Sequence, residues 1–431
     1  MGPKMGYFAG WIGWVVILPY LAQKPSLIIV AFNWMVNQNG DISSIDPMTV
    51  QLIGVVIFLV CVFLASRGIK VVKTIASIAG TGSFIMAMLF IVFGLLAPIF
   101  NVNPSEVPTY SLNLDPTSFV PTDMSVFASL SILLFGVGGA EKIAPYVNRM
   151  EKPGRDFPKG IIAVVIMVAV AAFAGAIAMG LMFGQDCQGM IADPNNLDPN
   201  KTYTPMQIVA NGETTTVLMD PNFITNGQYV CFQKVGQAFG LGNVLMVLYA
   251  AIKLITDAAV LIVSIDVPLR LLLEDSDQRF IPKGSLKKNK YGAYPYWLLV
   301  VTIITVFLLV VPTLSMGTAD DLIKWLLEIC SIVMPIFYIC VFVAYIALKV
   351  DKKKVKKHKD DFIFIKNKGL GIFVGLWCAV ITFAGMVMKM QNDDPAKFIM
   401  NVAIPIVLIA MGLILPLIAK AYNNKKGVKT K

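Results

Sequence analysis

Where the chain reads FGVGGAE, an apolar run is interrupted by Gly136, Gly138 and Gly139 and followed by a carboxylate, Glu141. An unpaired peptide group in lipid costs several kcal/mol, so a helix broken at that depth persists where it is buried in protein or lines a polar cavity. The freed N–H and C=O groups, unobstructed by side chains, can then meet the charged ends of a small zwitterion. Close packing of a neighbouring helix on the glycines is the alternative. Glu141 serves either to couple a conformational change to protonation or to anchor the broken helix by accepting hydrogen bonds.

Three further charges fall within apolar runs, where each costs about 2.5–3.5 kcal/mol at the centre of a span. Lys253 and Asp257 are four positions apart, on one helix face, and are expected to form a salt bridge. Lys24 has no local acidic neighbour. It faces an acidic ligand or snorkels to the outer interface, and snorkelling is the expected arrangement. The single histidine, His358, lies in the charged stretch DKKKVKKHKDD, which excludes a histidine proton relay. No cluster has metal-ligand character, and glycines inside an apolar run do not make a phosphate-binding loop. Neither a cofactor nor a metal is implied, and with no catalytic constellation an enzyme is not expected.

The elements that must hold these residues are membrane spans. The chain is 57% hydrophobic and 14% charged, against about 45–50% apolar and 25% charged in soluble globules. Apolar stretches long enough to cross the hydrocarbon run near 6–34, 49–65, 75–100, 125–148, 160–184, 234–272, 294–314, 320–349, 369–390 and 397–422. The expected fold is therefore an all-α polytopic membrane protein of about ten transmembrane helices. The sixth stretch is long enough to tilt or to continue into the cytoplasm. The first is longer than a signal-peptide core and lacks its cleavage site.

A net charge of +10 raises the question of nucleic acid, but the basic residues sit in alternate loops, from Arg67 to Lys73, Arg149 to Lys159, Arg270 to Lys290 and beyond 350. The intervening segments are acidic or neutral. By the positive-inside rule both termini are cytoplasmic, at a cell membrane crossed several times, and the partner of the basic edges is the lipid bilayer rather than nucleic acid. Cys187 and Cys231 share the outer segment 185–233, where they form a disulfide or are two unrelated thiols. That polar segment is expected to be a cover or a mobile stretch rather than a domain.

Three stretches resemble one family. FGVGGAEKIAPYVNRMEKPGRDFPKGI resembles the sixth helix and following loop of the amino acid, polyamine and organocation transporter superfamily. MGPKMGYFAGWIGW is similar to the start of its third helix, and RLLLEDSDQRFIPKGSLKKNKYGAYP to its loop between helices eight and nine. The ten stretches match the family's helices three to twelve. ASRGIKVVKTIASIAG, YLAQKPSLIIVAF and DDFIFIKNKG look most like the glutamate and GABA antiporter branch.

The resemblance implies a LeuT-type inverted-repeat fold lacking its first two helices, within one transporter domain over 1–431. Residues 1–100 would be an incomplete first repeat, 125–349 the second five-helix repeat, and 369–422 two C-terminal helices. The family's first helix carries a glycine break that holds substrate, so the chain is expected to begin inside a longer protein. The implied activity is alternating-access transport of an amino acid, glutamate or GABA, by exchange or proton coupling. A non-transporting sensor, or an inactive fragment, is the alternative. The resemblance makes Phe135 an aromatic gate, against an ordinary core or lipid-facing Phe. It makes Tyr338, one turn past Pro335, a gating tyrosine, against a tyrosine bonded to a freed carbonyl.

Overall fold

The computed structural model describes residues 2–38, 40, 42, 45–102, 104, 131, 133–134, 136, 138–139, 147, 150–183, 190–192, 197, 203–210, 213–220, 222–274, 276–315, 319–350, 365–391 and 395–425. In chain order the regular elements are α1 (Pro3–Val15), α2 (Leu18–Asn37), α3 (Pro47–Ser66), α4 (Ile69–Leu96), α5 (Pro153–Phe183), β1 (Thr204–Ala210), β2 (Glu213–Met219), α6 (Phe223–Ala238), α7 (Val244–Leu273), α8 (Pro295–Val310), α9 (Ala319–Val350), α10 (Lys368–Met390) and α11 (Pro395–Lys425). Among the described residues, nine helical segments are long and apolar enough to cross a membrane. The stretch 125–148, expected as a tenth, lies largely outside the described residues.

Local chemistry explains the breaks. Proline opens α1, α3 and α8, where its missing N–H is one the helix start would leave unpaired anyway. The Asp46 carboxylate caps α3 by accepting from the Thr49 N–H at 2.9 Å, and Asn367 caps α10 through the Leu370 N–H at 3.1 Å. The first apolar stretch, expected as one span over 6–34, forms one candidate span, Pro3–Asn37, whose helix is broken at Val16 and Ile17 into α1 and α2. Pro19 has no N–H to give the Val15 carbonyl, so the ladder is interrupted there and resumes as α2. The run 234–272, expected as one long span, is likewise divided between α6 and α7. Gly240 and Gly242, with φ of 74° and 57°, turn the chain in the left-handed region between them.

The segment 185–233, expected as a cover or a mobile stretch rather than a domain, carries regular structure among its described residues. β1 and β2 pair antiparallel from Thr204 opposite Met219 to Ala210 opposite Glu213, and α6 follows. Cys231, assigned above to an outer loop, is a buried residue of α6 whose Sγ lies 3.9 Å from Met179 Sδ. Cys187, its expected partner, lies outside the described residues.

The main core joins α1, α2, α3, α7, α8 and α9. Trp14 meets Trp11 and Trp297 edge to face at centroid separations of 5.0 and 5.5 Å. A second cluster lies between α2, α4, α5, α6 and α7. Large apolar side chains such as Phe173, Leu417 and Phe307 point outward, which suits lipid as the solvent. α2 packs closely against α7.

Candidate functional site

Between α2, α6, α7 and α9 lies a cavity of about 410 Å³, within the range of small-molecule sites. Its wall includes Lys24, Lys253, Gln23, Gln228, Gly136 and Gly138, so the glycine-rich segment and the intramembrane lysines face one space. Asp257 sits behind the two lysines, 1% exposed. Lys24 Nζ donates to Asp257 Oδ1 at 2.7 Å. Lys253 Nζ lies 3.2 Å from the same oxygen and 3.0 Å from Oδ2, which accepts no well-directed hydrogen bond. Two ammonium groups thus share one carboxylate, leaving a charge of +1 on the cavity wall among the described residues.

Lys24 does not snorkel: it is 8% exposed, and the close packing of α2 on α7 gives it Asp257 as a partner, 233 positions away in sequence. Its ammonium also stands 4.8 Å over the Tyr20 ring. The expected pair of Lys253 and Asp257 is present, as one arm of this larger cluster.

The glycine-rich segment is held against α9. Pro335 cannot donate to the Ser331 carbonyl one turn earlier, and Ser131 Oγ, just upstream of the glycines, donates to that oxygen instead. Three residues beyond Pro335, the Tyr338 hydroxyl covers Gly138 so closely that a methyl group there would overlap it. Gly136 opens onto empty space, and Gly139 has a φ of 125°, which favours glycine. Phe135 and Glu141, expected as gate and coupling carboxylate, lie outside the described residues.

Sequence reasoning missed Tyr20, Gln23, Gln228 and Tyr229 on this wall. Uncharged residues scattered over separate helices carry no local signal, and their meeting depends on how α2, α6 and α7 pack. A second cavity, about 400 Å³ and mainly apolar, lies on the other side of Lys253 and Gln228 between α4, α5, α6 and α7.

A second charged cluster closes the far end of α7. Arg270, 3% exposed, grips Asp266 through Nε at 2.7 Å and Nη2 at 3.1 Å, and reaches Glu274 at 3.1 Å. Lys288 and the Tyr294 hydroxyl approach the same Glu274 oxygen at 3.0 and 3.1 Å. Partial burial pushes the Glu274 carboxyl up, but the Lys288 hydrogen bond and the Arg270 charge outweigh it and hold the group below the usual carboxylate range. The spacing of four between Asp266, Arg270 and Glu274 is visible in the sequence and signals this cluster.

Known proteins agree with the architecture. Residues 1–411 match the amino acid permease family model. The chain is 36% identical to the aspartate/glutamate permease AcaP of Lactococcus lactis subsp. cremoris, over 98% of this chain and 81% of that protein. It is 26% identical to the inner membrane transporter YjeM of Salmonella typhimurium, over 39% of this chain and 35% of that one. These are transporters, and the relation spans nearly the whole sequence, so the chain is an amino acid transporter belonging to the amino acid permease family of the amino acid, polyamine and organocation superfamily.

Proposed function

We infer that the cargo is an acidic amino acid, carried by alternating access and driven by exchange or by proton coupling. The observation that carries this reading is the unbalanced positive charge of Lys24, Lys253 and Asp257 beside the cavity. An excess ammonium on a buried cluster is costly unless an anion meets it. A dicarboxylic amino acid brings a net charge of −1, whereas GABA brings none, so aspartate and glutamate fit better than GABA. The relative AcaP is named for aspartate and glutamate.

On this reading Gly136, Gly138 and Gly139 present peptide groups to the amino acid's charged ends, with Phe135 and Tyr338 closing over it. Glu141 biases the conformational equilibrium through its protonation. The protein sits in the cell membrane with both termini in the cytoplasm. Within a single domain, 1–100 corresponds to an incomplete first repeat, 125–349 to the second and 369–422 to two further helices.

Counter-flow into proteoliposomes tests the function. Internal aspartate or glutamate is expected to accelerate entry of labelled aspartate, with internal GABA and lysine far less effective. Absence of counter-flow for every amino acid would instead favour a sensor that does not transport.

A further inference from the structure

Granted an acidic amino acid as the cargo, the two lysines are not equivalent. Lys24 is bound to Asp257 by the shorter contact, 2.7 Å, with its side chain 9% exposed and its charge over the Tyr20 ring. Lys253 is more loosely held, at 3.0 and 3.2 Å, and its side chain is 26% exposed. Its position in the partition between the two cavities gives its ammonium room to move. Among the described residues no acidic side chain lines either cavity, and an anion that enters beside Lys253 can draw it away from Asp257.

We propose that Lys253 reads the substrate's side-chain carboxylate by trading Asp257 for it, while Lys24 stays on Asp257 and keeps that carboxylate paired. Lys24 is then a positioning residue. Without it Asp257 would hold Lys253 fully, and the wall would lose its spare charge. With it the exchange leaves every ion paired: Lys24 with Asp257, Lys253 with the ligand. Preference for an acid over its isosteric amide therefore follows the net charge of the cluster rather than the mere presence of Lys253.

The test is competition of glutamine and of glutamate against labelled glutamate on the purified full chain, repeated in variants matched for monodispersity. Wild type is expected to prefer glutamate over glutamine by about 10²-fold, the order set by one well-placed charged hydrogen bond. Lys253→Gln and Lys24→Met each bring the cluster to zero, and both are expected to bring that ratio near one. The double variant Lys24→Met with Asp257→Asn restores a lone cation at 253 and is expected to recover most of the preference, which a merely structural role for Lys24 and Asp257 would not produce. A Lys253→Gln variant that keeps the wild-type ratio overturns the assignment of Lys253. A double variant no more selective than Lys24→Met overturns the exchange of partners. A wild type that binds no acidic amino acid overturns the cargo itself, a separate failure.

Discussion

The α7 helix carries two charged clusters built on the same spacing of four, and they end differently. At Asp266, Arg270 and Glu274, with Lys288 from the following segment, two carboxylates meet two cations and the sum is zero. The Arg270 fork also reaches the Gly292 carbonyl at 3.4 Å, and Asn289 donates to the Ser66 carbonyl at 3.0 Å, so this cluster ties α7, the 276–294 segment and the end of α3 together. At Lys253 and Asp257, Lys24 arrives from α2 and leaves one positive charge over, beside a cavity. The balanced cluster ties helices together. The unbalanced one, beside a cavity, is the one we propose a ligand completes.

Breaking the balanced cluster has the largest expected effect. Arg270→Met takes its bidentate partner from Asp266, itself 3% exposed, and removing one member of a buried pair costs about 3–5 kcal/mol. Thermal unfolding in detergent is expected to show a large loss, with little monodisperse protein. Lys253→Gln, in contrast, leaves Asp257 paired with Lys24 and is expected to unfold within a few degrees of wild type. Equal losses in the two variants would erase the distinction between scaffold and site.

Gly138→Leu sharpens the comparison from the cavity side. The side chain displaces the Tyr338 hydroxyl and fills the space above the peptide groups, so substrate binding is expected to fall by about 10²-fold or more, while membrane insertion is unchanged. Wild-type affinity in a well-folded variant would return the glycines to a packing role. Glu141→Gln is expected to flatten the pH dependence of exchange between about pH 5 and 8, with some binding retained. An unchanged profile at normal expression would make Glu141 an anchor.

The smallest effect belongs to the rim of the balanced cluster. The Glu274 carboxyl is held below its ordinary range, so its contribution is fully present above its unfolded value of about 4.3 and is lost as pH falls through the lower folded value. Glu274→Gln is expected to cost about 0.5 kcal/mol at neutral pH, after solvent screening of this partly exposed group, and the difference from wild type is expected to close as acid protonates Glu274. A difference that persists in acid would point to packing rather than charge.

Much of this was legible in the sequence. The membrane class, most of the spans, the glycine-rich segment and the spacing of Lys253 and Asp257 all follow from patterns within a few turns of helix. What was not legible depends on contacts between distant segments. Lys24 was expected at an interface because its partner lies on another helix, and Tyr20, Gln23, Gln228 and Tyr229 have neutral side chains that mark nothing until α2, α6 and α7 meet. The divisions at Val16 and at Gly240 escaped a hydropathy reading for a simpler reason: a proline or a glycine pair inside an apolar run changes the backbone without changing the hydrophobicity.

The most direct test of the unbalanced charge compares two ligands that differ by little else. Calorimetric titration of the purified wild-type chain with L-aspartate and with L-asparagine isolates one negative charge on nearly identical shapes. Tighter binding of aspartate, by about 10²-fold, is the expected result. Equal affinities, or a preference for asparagine, would contradict the reading of Lys24, Lys253 and Asp257 as an ion cluster completed by its substrate.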